Sequence, residues 1–354
     1  MAKPTYLAAA WRGSGAGVLL AGCSPGSLRR IWPGLAIGVV IALAASFVAT
    51  AYGGPLLLYA LFFGLAFHFL AHDPVCLPGI EFCSKTLLRI GIAMLGARIT
   101  LEQVSSLGAG PLLIVAGAVV STILFGVALA ALFGRPSAEG LLSGGAVGIC
   151  GASAALAISA LLPRTRENEH FTLLTVVGVT SMSTLAMIAY PLLAAWAGLD
   201  ATQAGIFIGG AIHDVAQVVG AGYLMSSHTG DVATVVKLTR VACLLPVIVV
   251  ASALYRRSGD TAGTDSAKRP PLMPLFLAGF LCLMLANSLH LVPAAAASAM
   301  NSASRACLVI AIATLGVKTS FQALASLGWR PVLMLAAETV WIALLVLAAI
   351  KFAL

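Results

Sequence analysis

Charge is scarce in this sequence. Only 12 of its 354 residues are acidic and 20 are basic, 9% charged against 60% hydrophobic, and the mean hydropathy is +1.03. No water-soluble surface can be covered with so few charges, so the chain reads as an integral membrane protein. Long polar stretches are missing too. The one convincing linker is 258–265, followed by Lys268, Arg269, Pro270 and Pro271. Strict two-residue alternation, the mark of membrane β-strands, is absent. Cys23, Cys76, Cys83, Cys150, Cys243, Cys282 and Cys307 show no CxxC or metal-finger spacing. Most lie in apolar runs and read as small buried hydrophobes, so neither a metal nor a cofactor is expected. There is no HExxH, no GxSxG and no Walker loop with its lysine, which excludes the enzyme classes those motifs serve. The net charge of +8 sits in short loops and flanks, where it sets orientation in the bilayer and does not point to nucleic acid.

What the sequence has is apolar runs of about 20 residues, each long enough to cross a bilayer core of about 30 Å as a helix. They lie near 33–50, 55–71, 111–134, 171–197, 232–254, 271–290 and 331–350. The sequence also repeats itself. Residues 84–111 recur 220 positions later as 304–331 without a gap. Ser84/Ser304, Leu88/Leu308, Gly96/Gly316 and Pro111/Pro331 are identical, and the cations match as Lys85/Arg305 and Arg98/Lys318. A shorter Gly-rich pair lies between the copies. Gly140, Gly144, Gly145 and Ala146 recur as Gly205, Gly209, Gly210 and Ala211. The fold class is therefore all-α, with about 9–11 transmembrane helices, inverted repeats and two Gly-rich broken or re-entrant elements. A leader, 1–30, precedes a single transmembrane domain, 31–354.

Arg29 and Arg30 before the first run, and Arg256, Arg257, Lys268 and Arg269 around the 256–270 loop, place both regions in the cytoplasm. Arg164 and Arg166 fall on that side only if 140–162 enters and leaves from it, and 202–225 must then be re-entrant from the other. A broken helix that crosses is the alternative. Under either scheme the long copies run in opposite directions.

Glycine costs about 1 kcal/mol relative to alanine inside a helix, so Gly144, Gly145, Gly148 and Gly151 with Ser153 predict broken backbone. At membrane depth such backbone must line a cavity or be buried by protein, and freed N–H groups at a half-helix N-terminus favour anions. Close packing through small residues is the bland alternative. The second element, with Gly209 and Gly210, carries His213, Asp214 and Gln217 in an otherwise apolar run. A carboxylate there must be paired, protonated or facing water. A His213–Asp214 pair suits proton transfer, against the alternative of a polar clamp between helices. His213 and Gln217 share a face if the segment is helical. Arg98 and Lys318 either offset an anion's charge in two alternating states or snorkel to the interface. Lys237 and Arg240 are placed to reach back to the Gly motif or to Asp214. Glu338, Thr339 and Asn287 read first as helix-bundling groups.

At LRIGIAMLGARIT (88–100), GICGASAALA (148–157), AIHDVAQVVGAG (211–222), VVKLTRVACLLP (235–246) and LGVKTS (315–320) the chain resembles the YeiH-type sulfate exporter family of bacterial membrane proteins. The likeness runs from about residue 30 onward, and its His-Asp-Val-Ala-Gln-Val-Val block is highly specific. It implies a multi-pass inner-membrane protein, distantly similar to inverted-repeat transporters. It implies sulfate as the substrate. Together with the site residues, the expectation is a secondary transporter that exports a small inorganic or sulfonated anion such as sulfate, sulfite or a sulfonate, with His213 and Asp214 coupling it to protons, lipid around it and a homodimer as an assembly. Where relatives often carry a Glu after the GASA block, this chain has Ile158, Ser159 and Ala160, so a proton-coupling carboxylate at that place is not carried over. A cation/proton antiporter using Asp214 and a non-transporting membrane scaffold are the rival readings.

Overall fold

The structure, a computed structural model, describes residues 25–53, 56–162, 165–257, 275–319 and 329–353. The first 24 residues of the expected leader, Arg164, the 258–265 linker with its basic tail, and 320–328 of the second long copy lie outside the described residues. The chain is all-α, with no strand among the described residues. Its helices are α1 (Pro25–Tyr52), α2 (Leu56–Ala66), α3 (Leu77–Phe82), α4 (Leu88–Leu95), α5 (Leu101–Ser106), α6 (Ala109–Leu132), α7 (Ser137–Gly148) and α8 (Ala152–Ser159). They continue with α9 (Arg166–Trp196), α10 (Ala201–Ala211), α11 (Val215–Met225), α12 (Ser227–Ala242), α13 (Leu244–Arg257), α14 (Leu275–Ser288), α15 (Ala294–Lys318) and α16 (Trp329–Ala353). Residues 25–30, counted with the leader in the sequence, form the first turns of α1. A π-helical turn, Cys83–Leu87, joins α3 to α4.

Among the described residues six helices are long and apolar enough to span a bilayer: α1, α6, α9, the α12–α13 rod over Ser227–Ala253, α15 and α16. One of the expected spans is shorter than its apolar run: α2 has 11 residues, about half the thickness of a bilayer core. Helix α2 ends early because it is jammed against α15. A Cβ on Gly64 would lie 2.0 Å from the Ala313 carbonyl oxygen, and one on Gly316 would lie 2.4 Å from that of Leu61. Past the contact the chain tightens into the 3-10 turn His68–His72, where His68 Nδ1 is 2.8 Å from the Val317 carbonyl oxygen. Gly64→Ala is accordingly expected to destabilise by about 1–3 kcal/mol, as overpacking does. Thermal unfolding in detergent reads it as a lowered midpoint, and an unchanged midpoint contradicts the contact.

The helices of the two long copies pack in pairs that run in opposite directions. In α4 and α15, the Ser304 hydroxyl donates to the Gly91 carbonyl oxygen at 2.6 Å, and a Cβ on Gly91 would sit 3.1 Å from Cys307 Cβ. Arg98 beyond one end of α4 shares a pocket with Asn301 and Arg305, while Lys85 before its other end is in electrostatic reach of Lys318. In α6 and α16, the Phe133 and Trp329 rings meet edge to face at one end, and Phe125 stacks on Trp341 at 4.5 Å further in. Each pair therefore brings one end of the first copy to the opposite end of the second.

Both Gly-rich elements fold back on themselves. Helix α7 descends along α6: a Cβ on Gly140 would press on Gly126, one on Gly144 on Thr122, and one on Gly148 on Val119, near the middle of α6. The chain then reverses at 149–151, and α8 returns beside α7, bringing Ile158 Cδ1 within 2.2 Å of where a Gly145 Cβ would be. Gly151, at φ +68°, takes the left-handed conformation that the reversal needs. The Arg135 guanidinium before α7 lies 5.8 Å from the Phe171 ring in the second turn of α9, so entry and exit share a side. The second hairpin, α10–α11, does the same from the far end of α9. Its start and its exit meet where the Thr229 hydroxyl donates to the Ala201 carbonyl oxygen at 3.0 Å and His228 Nε2 lies 2.9 Å from Thr202 Oγ1.

Candidate functional site

The two reversals, 149–151 and 212–214, meet in the interior, where a Cβ on Gly151 would lie 3.8 Å from His213 Cβ. Each arm entering the reversal is a helix with orphan carbonyls at its C-terminal end, an arrangement that costs free energy unless donors are supplied. The adjoining helix α12 supplies them. Lys237 Nζ donates to Ile149 O at 2.7 Å and Ile212 O at 2.9 Å, tying the two tips together. Arg240 donates through Nε and Nη2 to Gly148 O at 2.9 and 2.6 Å, and through Nη2 to Val147 O at 2.7 Å. Its Nη1 reaches Gly209 O at 3.3 Å, Gly210 O at 2.7 Å and Ile212 O at 3.0 Å. Both side chains are fully buried. The two fixed cations thus answer the negative ends of both half-helix dipoles.

The outgoing arms begin differently. Asp214 is the N-cap of α11: its Oδ1 accepts from the Ala216 N–H at 2.8 Å, and its own N–H donates to Ser183 Oγ at 3.0 Å. Asp214 is half-buried, in electrostatic reach of Lys237 and Arg89, and Lys318 feels it from further away. Helix α8 begins at Gly151, which offers no side chain to cap it, and Ser153 in its first turn is exposed. One half-helix N-terminus therefore carries a carboxylate and the other is bare.

His213 and Asp214 are chain neighbours, and the structure does not join their side chains. His213 turns inward, fully buried, with Nε2 2.9 Å from Thr339 Oγ1, while Asp214 caps α11. Nor do His213 and Gln217 share a helical face, because 212–214 is the break and α11 starts only at Val215. Gln217 Nε2 donates to Thr184 Oγ1 at 2.8 Å. His213 Nδ1 and Gln217 Oε1 are buried atoms with no hydrogen-bond partner among the described residues. In a membrane interior each is a costly group to leave bare. Both sit in the segment that forms the tips.

Other proteins share this sequence over nearly its whole length. It is 50% identical over 322 residues to the UPF0324 membrane protein CT0845 of Chlorobaculum tepidum, covering 91% of this chain and 89% of that one. The chain belongs to the UPF0324 family. The family model described as conserved hypothetical protein 698 matches residues 33–335. The UPF0324 membrane protein RB0971 of Rhizobium meliloti is 47% identical over 92% of this chain and 94% of its own, and the UPF0324 membrane protein TauZ of Paracoccus denitrificans is 46% identical over 91% and 96%. No solved structure matches. UPF0324 relatives are named membrane proteins, which accords with the multi-pass helices seen here.

In this UPF0324 chain the residues singled out from sequence fall into three groups. Gly148, Gly151, Ser153, His213, Asp214, Gln217, Lys237 and Arg240 gather at the tips. Gly144, Gly145, Gly209 and Gly210 instead pack helices: a Cβ on them would meet Thr122 O, Ile158, Ala233 O and Val346, respectively, within 2.2–2.9 Å. Arg98 is in a 3.1 Å ion pair with Asp231, and Lys318 is in electrostatic reach of Lys85, Glu81 and Asp214. Sequence reasoning missed Ser183 and Thr184 as partners of the second tip. Their signal is the hydroxyl run from Thr180 to Thr184, four of whose five side chains are Ser or Thr. It also missed that Glu338 accepts from the Ser143 hydroxyl at 2.7 Å, with Glu338 Oε2 buried and unpartnered.

Proposed function

We propose that this protein is a secondary transporter that exports a small anion, sulfate, sulfite or a sulfonate, across the bacterial inner membrane with protons as the coupling ion. The observation that carries this reading is which helix ends are left free at the tips. Broken-helix transporters hold cations at C-terminal carbonyls and anions at N-terminal N–H groups. Here the carbonyl ends of both α7 and α10 are already occupied by Lys237 and Arg240, whereas the N-terminus of α8 has no side-chain cap and an exposed serine in its first turn. The free end suits an anion. Unpartnered His213 Nδ1 and Gln217 Oε1 provide polar atoms beside it, and the half-buried Asp214 is the group we assign to proton coupling.

The purified protein in liposomes tests this with entrapped sulfate, sulfite or ethanesulfonate under imposed pH and sodium gradients. Anion efflux driven by the pH gradient and indifferent to sodium is expected. A cation/proton antiporter built on Asp214 gives the opposite result: sodium-dependent proton flux with no response to the anion, and that outcome sinks the proposal.

A further inference from the structure

On the side where the α10–α11 hairpin opens, a cavity of about 530 Å³ lies between the returning arm α11 and the frame of α2, α4 and α15. Two guanidinium groups line it, Arg98 from the first long copy and Arg305 from the second. That pairing follows from the antiparallel packing of α4 and α15, which sets the C-terminal cation of one copy beside the N-terminal cation of the other. The same rule brings Lys85 and Lys318 together on the opposite side.

The two guanidinium groups are not equivalent. Arg98 is neutralised by Asp231 at 3.1 Å, and the Tyr223 hydroxyl donates to Asp231 Oδ1 at 2.5 Å with its ring 5.7 Å from the guanidinium carbon. Arg305 is exposed and forms no salt bridge among the described residues. The cavity therefore holds one uncompensated positive charge. Asn301 and Ser227 add hydrogen-bonding groups near it, while Leu57, Leu95 and Leu308 make the remaining wall apolar. A dianion such as sulfate would meet too little charge and too much hydrocarbon. Water takes about 30 Å³ per molecule in the liquid, so there is room for much more than one tetrahedral oxyanion.

We propose that this cavity is a second anion site, an outer vestibule that takes a monovalent organic sulfonate, its head on Arg305 and a short apolar tail against the leucines. The inference rests on the reading of the chain as an anion carrier and names the substrate class for which this mouth is built. Oxyanion head plus apolar tail also describes an anionic lipid, and the experiment separates the two.

Binding of sodium butanesulfonate, ethanesulfonate and sulfate to the purified full chain in detergent is measured by titration calorimetry at fixed ionic strength. Butanesulfonate is expected to bind about tenfold tighter than ethanesulfonate, the worth of two buried methylenes, and sulfate weakest. Arg305→Gln should weaken both sulfonates about tenfold or more, and Leu57→Trp, which fills the cavity without changing charge, should do the same. Sulfate binding tighter than the sulfonates, or sulfonate binding unchanged in both variants, overturns the proposal. So does phosphatidylglycerol binding through Arg305 with which butanesulfonate does not compete, because the cavity is then a lipid-head site. If sulfonates bind through Arg305 but no anion crosses liposomes, the vestibule stands and the carrier reading falls. If anions cross while Arg305→Gln binds sulfonates normally, the carrier reading stands and the vestibule falls.

Discussion

Arg240→Met is expected to leave little or no folded protein. The side chain reaches five carbonyl oxygens on two separate hairpins, and methionine, shorter and with no donor, removes this donor from all of them in a dry interior, leaving only Ile212 O with Lys237. A buried polar group stripped of its partner costs about 1–3 kcal/mol, so even two bare carbonyls remove about 2–6 kcal/mol, a large fraction of the about 5–15 kcal/mol that holds an ordinary domain folded. Lys237 cannot compensate, since its ammonium is already between Ile149 O and Ile212 O. Arg240→Lys keeps the charge but not the fork of donors, so an intermediate loss is expected. Size-exclusion profiles and thermal midpoints in detergent check this. A monodisperse Arg240→Met protein with the unaltered midpoint would mean that the tips are held by something else.

Asp214→Asn is expected to abolish transport, by about 100-fold or more, in protein that inserts and folds normally. The separation is possible because the two duties of Asp214 depend on different properties. Capping α11 needs only a side-chain oxygen to accept from the Ala216 N–H, which asparagine provides almost as well as aspartate. Carrying a proton needs a group that can change charge, which asparagine cannot. Asp214→Ala adds the loss of the cap, about 1 kcal/mol, and should lower the thermal midpoint as well. Undiminished flux of sulfate, sulfite or ethanesulfonate in Asp214→Asn liposomes excludes Asp214 from coupling. Lost flux in the alanine variant that asparagine restores would assign it a capping role alone.

Much of the frame was legible from local patterns because a bilayer imposes simple rules on them. Apolar runs became helices, and matching cations at 84–111 and 304–331 flank equivalent helical stretches; of the glycines read as broken backbone, Gly148 and Gly151 lie at a reversal while Gly144 and Gly145 stay helical. The limits of α2 were not legible. Its residues are as apolar as any span, and the stop at Ala66 comes from a partner more than 240 positions away, at Ala313 and Val317.

The candidate site divides in the same way. That His213, Asp214 and Gln217 must be accounted for followed from sequence alone, since polar groups in a hydrocarbon setting are never indifferent. Adjacency in sequence suggested that His213 and Asp214 act as a pair, yet a break in the helix sends one side chain to Thr339 and the other to its own next turn. Lys237 and Arg240 lay within reach of the Gly motifs in the sequence, but only the meeting of the two tips shows that their donors answer carbonyl ends, while of the two outgoing arms α11 is capped by Asp214 and α8 has no side-chain cap. Sequence by itself determined that this is a helical membrane protein with a duplicated frame and polar residues at broken segments. Tertiary structure decided which of those residues hold the backbone together and which remain free, because a hydrogen bond between distant segments depends on distance and direction that no local pattern contains.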